Sequence, residues 1–205
     1  MDNQLTTTLA STVLSSSSGL RAYLPLFALG IGAIAGVIPL EPGYQILTNP
    51  LILAVLGLLS ILEMVADKFP AIDHVSDLIH TVIRPVMGAV IFSGTNNLVS
   101  AHSGIAAAGI GLVLAGGVHG MKALSRPVVT GTTFGFGNPV VSIIEDIATI
   151  SFVVLAILIP VIALILFVLF VLLFLLLIRW AWRRLRRRKR QQTAVVDAGR
   201  TGGVG

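Results

Sequence analysis

Glu63 and Asp67 stand four residues apart at the end of the apolar run "LILAVLGLLSILEMVADK", and Lys68 follows them. A spacing of four places both carboxylates on one helix face. In a greasy setting such groups take up a proton or cation, or hold a cationic partner. Asp73, Asp77 and His80 come next at i, i+4 and i+7, with His74, Asp77 and His80 as an alternative stripe. Oxygen and imidazole on one stripe can bind a divalent cation. A solvated amphipathic face has the same pattern. His119 and Lys122 are three apart near the end of a Gly/Ala-rich run, and the "GGV" and "GM" around His119 leave it uncrowded. Glu145 and Asp146 are adjacent, so on a helix they point in different directions. Arg21, and Asn138 ahead of Pro139, complete the polar residues embedded in apolar sequence. HExxH, GxSxG and the other catalytic signatures do not occur.

These residues must be positioned inside a membrane. Of 205 residues, 55% are hydrophobic and only 11% charged, and the mean hydropathy is +0.96; a soluble domain carries about 25% charged residues. Alternating ten-residue strands are not seen, so helices satisfy the backbone in lipid. With no cysteine, disulfides, thiolate catalysis and cysteine metal sites are excluded. The net charge of +5 hides an asymmetry. From Arg179 onward there are nine Lys/Arg and one Asp, a net +8; the 178 residues before hold five basic and eight acidic, a net −3. No Lys or Arg precedes the first apolar segment, as a cleavable signal peptide requires, so that segment is expected in the mature protein.

Five apolar segments follow one another. The first, 5–38, is interrupted by "SSSSG", Arg21 and Pro25; it is either one continuous span or a broken pair with an elbow near Gly19. The second begins at Pro50, a favoured first helical residue, and runs toward Pro70. Entering the membrane near Leu51, it carries Glu63 roughly 18 Å along at 1.5 Å per residue. That lies within the ~30 Å hydrocarbon layer, where a carboxylate must face protein or water; Asp67 and Lys68 then reach the far interface. The third begins near Asp73, which can cap it, and turns apolar after Arg84-Pro85. The fourth spans 103–124, its Gly and Ala suited to close packing, and a Gly/Thr-rich stretch with two prolines follows over 125–139. Residues 152–178 are uncharged and read as one span kinked at Pro160. The helix from Pro139 to that run is either a half-helix in lipid or a surface segment. Asn-Pro and Arg-Pro each occur twice, at 49–50 and 138–139 and at 84–85 and 126–127, a pattern an internal duplication would leave.

The end of the last span carries "RWAWRRLRRRKR". Trp180 and Trp182 suit the interfacial belt, and the basic residues predict a cytoplasmic C-terminus that attracts anionic lipid. No stacking surface accompanies them, so nucleic acid is not the expected partner. The chain divides into a transmembrane domain, 1–178, and a basic cytoplasmic tail, 179–205, expected to be largely disordered beyond 191.

The stretches "GLRAYLPLFALG", "ADKFPAIDHVSDLIHTVIRPVMGA", "HGMKA" and "GNPVVSIIEDI" together resemble a bacterial integral-membrane family known only as domain of unknown function 4126. The resemblance covers 15–160 and omits the tail. Matched residue by residue, it points to Arg21, Glu63, Asp67, Lys68, Asp73, Asp77, His80, Arg84, His119, Lys122, Asn138, Ser142, Glu145 and Asp146. It implies a compact polytopic bundle in the cytoplasmic membrane and carries no reaction or substrate.

The expectation is an all-α, polytopic transmembrane bundle of four to six segments, some broken or re-entrant, as a monomer or homo-oligomer. Irregular backbone at 15–19 and 131–137 is expected to face the same cavity as the charges. The leading function is an ion-coupled transporter or permease of an unknown small solute. Its substrate or ion site would draw on Arg21, Glu63, Asp67, Lys68, His119, Lys122, Asn138, Glu145 and Asp146. The alternatives are a metal-dependent enzyme acting on a lipid headgroup, with a divalent cation on Asp73, Asp77 and His80, and a non-catalytic scaffold. No other cofactor is expected.

Overall fold

The computed structural model describes the backbone of residues 3–96, 103–133 and 137–201. Within these, the side chains of residues 3, 70–76, 103, 132, 181 and 184–201 lie outside the description. The described chain is all-helical: α1 (Asn3–Ser18), α2 (Tyr23–Ile34), a 3-10 helix (Pro42–Thr48), α3 (Pro50–Ala66), α4 (Pro70–Thr95), α5 (Ser103–Thr133), α6 (Asn138–Leu158) and α7 (Pro160–Thr201). Four stretches are long and apolar enough to cross a membrane, Asp77–Thr95, Gly104–Gly131, Asn138–Leu158 and Pro160–Trp180. There are five if the 3-10 helix and α3, bent by 67°, count as one.

The first segment is a broken pair, folded into a buried hairpin. Ser18 Oγ donates to Ser15 O at 2.7 Å, the local competition that makes serine a poor helix former. At Gly19 a Cβ would stand 2.3 Å from the Ala115 carbonyl oxygen, so only glycine lets the turn pack on α5. Residues 15–22 are all buried. α1 runs antiparallel to α4: Thr8 Oγ1 donates to Asn96 Oδ1 at 2.9 Å, Ser15 Oγ to Gly88 O at 3.0 Å, and Ser18 Oγ to Arg84 O at 3.3 Å. α2 returns antiparallel to α3, with Ala22 beside Glu63, Phe27 on Gly57 and Gly30 on Leu53. Its far end packs on Leu47 of the 3-10 helix, which meets α4 where Glu41 N donates to Gly94 O at 2.9 Å. The start of α1 and the end of α2 therefore share one side of the bundle, and the turn 19–22 lies within it. At 12 residues, about 18 Å, α2 is too short to cross the ~30 Å hydrocarbon layer.

Asn49 caps α3, accepting from Leu51 N at 2.9 Å, and Pro50 takes the first turn as its sequence predicts. α4 and α5 cross with backbones nearly touching: a Cβ on Gly111 would lie 2.2 Å from Gly88 O. Small residues at such crossings are how helices associate in lipid. Phe152 of α6 sets its ring edge-to-face against Phe167 and Phe170 of α7, centroids 5.1 and 5.2 Å apart.

Three expectations from the sequence change. The fourth segment, expected to end at Leu124, continues as helix to Thr133, with Pro127 inside α5; membrane helices tolerate interior proline because neighbours re-satisfy the freed backbone. The apolar run 152–178 is not one kinked span. α6 ends at Leu158, Ile159 has φ −143°, and Pro160 opens α7. The residue before proline is pushed out of the helical region, so the run is divided between two helices. The backbone of α7 is helical to Thr201, past residue 191 where disorder was expected, and its Arg, Lys, Gln and Ala are strong helix formers.

A buried ionic cluster as the candidate functional site

The turn 19–22 places Arg21, fully buried, where α3, α4, α5 and α6 converge. Each helix contributes by its own register. α3 brings Glu63 from its last full turn and Asp67 from its C-cap. α4 brings Asp77, His80 and Arg84, and α5 brings His119, Lys122 and Arg126 on successive turns. α6, long and apolar enough to cross a membrane, brings Ser142, Glu145 and Asp146 from its first three turns, and both carboxylates are buried.

Glu63 lies on the N-terminus of α2. Its carboxylate accepts from Ala22 N at 2.8 and 3.0 Å and from Tyr23 N at 3.4 Å, which satisfies amides a helix start leaves orphaned. The same carboxylate accepts from Arg84 Nη2 at 3.2 Å, and His80 Nε2 stands 3.6 Å away. Asp67 Oδ2 is the hub of the cations. Arg21 Nη1 and Lys122 Nζ donate to it, the latter at 3.0 Å, with Arg126 at 3.6 Å and Arg84 at 3.8 Å. Arg21 also pairs with Asp146 and donates to Ser142 Oγ at 3.0 Å. Asp146 takes Lys68 at 2.8 Å, and Lys122 reaches Glu145 at 2.9 Å. Arg84 Nη1 is 3.5 Å from Asp77 and donates to His119 Nδ1 at 2.9 Å. An arginine only donates, so His119 Nδ1 accepts; its Nε2–H then points to Thr81 Oγ1 at 3.2 Å, which makes the imidazole neutral in this arrangement.

Among the described residues, five cations and five carboxylates thus meet. The cations, Arg21, Lys68, Arg84, Lys122 and Arg126, are all the Lys and Arg that residues 1–178 contain. Every acid that faces them is paired, yet Asp67 Oδ1 and Glu145 Oε1 are buried without a hydrogen-bond donor among the described residues. A buried orphan oxygen is where water, a proton or a small cation finds a place. Access lies at the rim, where the Lys68 side chain is 38% exposed and that of Asp77 28%. A column of α1 hydroxyls, Thr8, Ser11, Ser15 and Ser18, hydrogen-bonds along α4 and to Asn96. The cluster belongs to the tail-side half of the bundle, since the end of α5, the start of α6 and the end of the α7 span share one groove at Ser125, Val141 and Trp180.

Of the residues the sequence singles out, Arg21, Glu63, Asp67, Lys68, His119, Lys122, Glu145 and Asp146 are brought together. Asn138 is not: it is at the first turn of α6, where its Nδ2 donates to Thr130 Oγ1 at 3.1 Å and ties α6 to α5. Asp77 and His80 join the cluster through different partners, Arg84 and Glu63. The Asp73 side chain lies outside the described residues. Among the described residues, no group of three or more His, Asp or Glu could hold a metal ion. Arg84 and Ser142 were matched only through the family pattern, and Arg126 was noticed only as half of a repeated dipeptide. The signal that finds them is plain: an arginine far from either end of an apolar helix needs a buried counterion.

Residues 8–180 match the family described as Domain of unknown function (DUF4126). The chain belongs to this family. The DUF4126 match takes in every described cluster residue and closes at Trp180, so the polybasic run beyond it is an addition to the family's domain. No curated protein and no solved structure matches the chain.

Proposed function

We propose that this DUF4126 protein is an ion-coupled transporter or permease for a small solute, in the inner membrane of a bacterium with its tail in the cytoplasm. One observation carries the reading: every cation of residues 1–178 converges, with five carboxylates, on a backbone turn buried inside the bundle. Irregular backbone at membrane depth is tolerated where it lines a cavity or is buried in protein, and discontinuous helices recur at carrier binding sites. A balanced cluster also responds sharply to one added ion. A proton or cation on Glu63 would cancel the charge that holds Arg84 and the start of α2, and would leave those donors to an anionic group. The orphan oxygen of Glu145 is a further proton or cation acceptor. Arg21, Lys68 and Lys122 neutralise an anionic solute or hold the carboxylates.

The test is reconstitution into liposomes loaded with a pH-sensitive dye, challenged with sodium, potassium, chloride, acetate and phosphate. At least one ion is expected to move the dye signal. Glu63→Gln is expected to abolish that response while the protein stays folded by circular dichroism. Normal flux in Glu63→Gln overturns the role of Glu63.

The equal count of cations and carboxylates favours a second reading, in which the cluster only holds the bundle together. That reading expects no ion response in the wild type. It also expects the exchange Lys68→Asp with Asp146→Lys to cost less than the two single changes added together, the contact with Arg21 being the part the exchange does not restore.

A further inference from the structure

The seam between α5 and α7 is apolar and open, and it ends in exposed arginines. Its upper part is a groove of about 380 Å³. Val113, Gly117 and Met121 of α5 face Phe167 and Val171 of α7 there, over Ser16 of α1. The next turns of the same two helices form a second groove of about 230 Å³, between Ser125, Val128 and Val129 and the residues Phe174, Ile178 and Trp180. From Val113 to Val129 the seam is about 24 Å long at 1.5 Å per residue. That exceeds the ~15 Å hydrocarbon depth of one leaflet. At its tail-side mouth Leu177 and Trp180 also line a cavity of about 520 Å³ with Arg179 and Arg183. No acidic side chain lines any of the three spaces among the described residues.

We infer that this seam is the binding site of one anionic phospholipid from the tail-side leaflet, its acyl chain along α5 and α7 and its phosphate on Arg179 and Arg183. Two features separate it from the general attraction of a polybasic tail. The apolar grooves continue away from the charges for several helical turns. Their wall is also the back of the ionic cluster: Ser125 Oγ donates to the Lys122 carbonyl at 2.7 Å, and Val141 precedes the Ser142 that holds Arg21. An occupant of the seam therefore braces the helices that present Lys122 and Arg21. Gly117 offers a clean block, because a Cβ there meets nothing within 4 Å and a larger side chain fills only the groove.

Trp180 lines the mouth, so in a Trp182→Phe background, where it is the only tryptophan, its fluorescence reports on the mouth directly. The full-length protein is placed in bilayers of increasing brominated phosphatidylglycerol or brominated phosphatidylcholine, and tryptophan quenching is measured. The anionic lipid is expected to quench at a lower mole fraction. Arg179→Gln and Arg183→Gln are each expected to weaken that preference about fivefold. Gly117→Phe, with every arginine intact, is expected to reduce the tightly retained anionic lipid seen by native mass spectrometry. Equal quenching by the two lipids overturns the site. Retention unchanged by Gly117→Phe overturns it too, because the tail charge alone would then account for binding. A seam closed by a second copy of the chain, seen as a lipid-free dimer, would likewise refute it.

Discussion

Arg21 joins Asp67 to Asp146, two carboxylates that otherwise lie on α3 and α6. Replacing it with Gln strips a counterion from both, and breaking one buried pair costs about 3–5 kcal/mol. Arg21→Gln is therefore expected to lower the thermal midpoint markedly in detergent, followed by circular dichroism. Arg21→Lys is expected to recover only part of the loss, since an ammonium lacks the planar fork that serves two partners. A full recovery by Lys would mean that charge alone matters there. At this scale the sequence was informative about the acids and less so about the cations. Glu63 and Asp67 announce themselves by their spacing, whereas Arg84 and Arg126 precede prolines and look like helix punctuation. Asn138 misled for the converse reason: an Asn-Pro pair reads alike whether its side chain faces a site or, as here, a neighbouring threonine.

Among the elements, the α4–α5 crossing depends on residues without side chains. Gly111→Leu would drive its side chain into the Gly88 carbonyl, while Gly109→Leu, where a Cβ meets nothing within 4 Å, would project into open space. Overpacking of this kind costs about 1–3 kcal/mol or more. Limited proteolysis of the two variants is expected to cut the Gly111 variant faster and leave the Gly109 variant like the wild type. Similar digestion of both would show that the close approach is dispensable. The helices were largely readable from apolar periodicity and proline signals. Where one ended and the next began was not, because the run 152–178 is continuous in hydropathy and only the backbone restriction at Ile159 divides it. The broken pair at Gly19 stayed one of two choices for a similar reason. Serines end a helix only when tertiary packing, here the backbone of α5, rewards the turn.

On the scale of the molecule, alternating helix directions place the 3-10 helix on the face opposite the end of α5. The orientation proposed above, with the basic tail held inside by the positive-inside rule, puts the latter face in the cytoplasm. The cysteine-free chain makes this easy to examine. Gln45→Cys is expected to react with a membrane-impermeant maleimide in intact spheroplasts, and Thr130→Cys only after lysis. The reverse pattern would invert the orientation. What composition could not reveal was that the described cluster residues balance, five cations against five carboxylates. The −3 of residues 1–178 conceals a balanced group, because acids such as Glu41 stand elsewhere.

Biosynthesis feels that balance. Arg21 leaves the ribosome well over a hundred residues before Asp146, and Asp67 leaves it before Lys122. Each early helix must therefore enter the bilayer bearing a charge whose answer has not yet been made. A nascent chain halted ahead of α6 would leave Arg21 and Lys122 to share Asp67, without Asp146 and Glu145. Completion of α6 is thus the step that gives Lys68 its carboxylate and evens the charge among the described cluster residues.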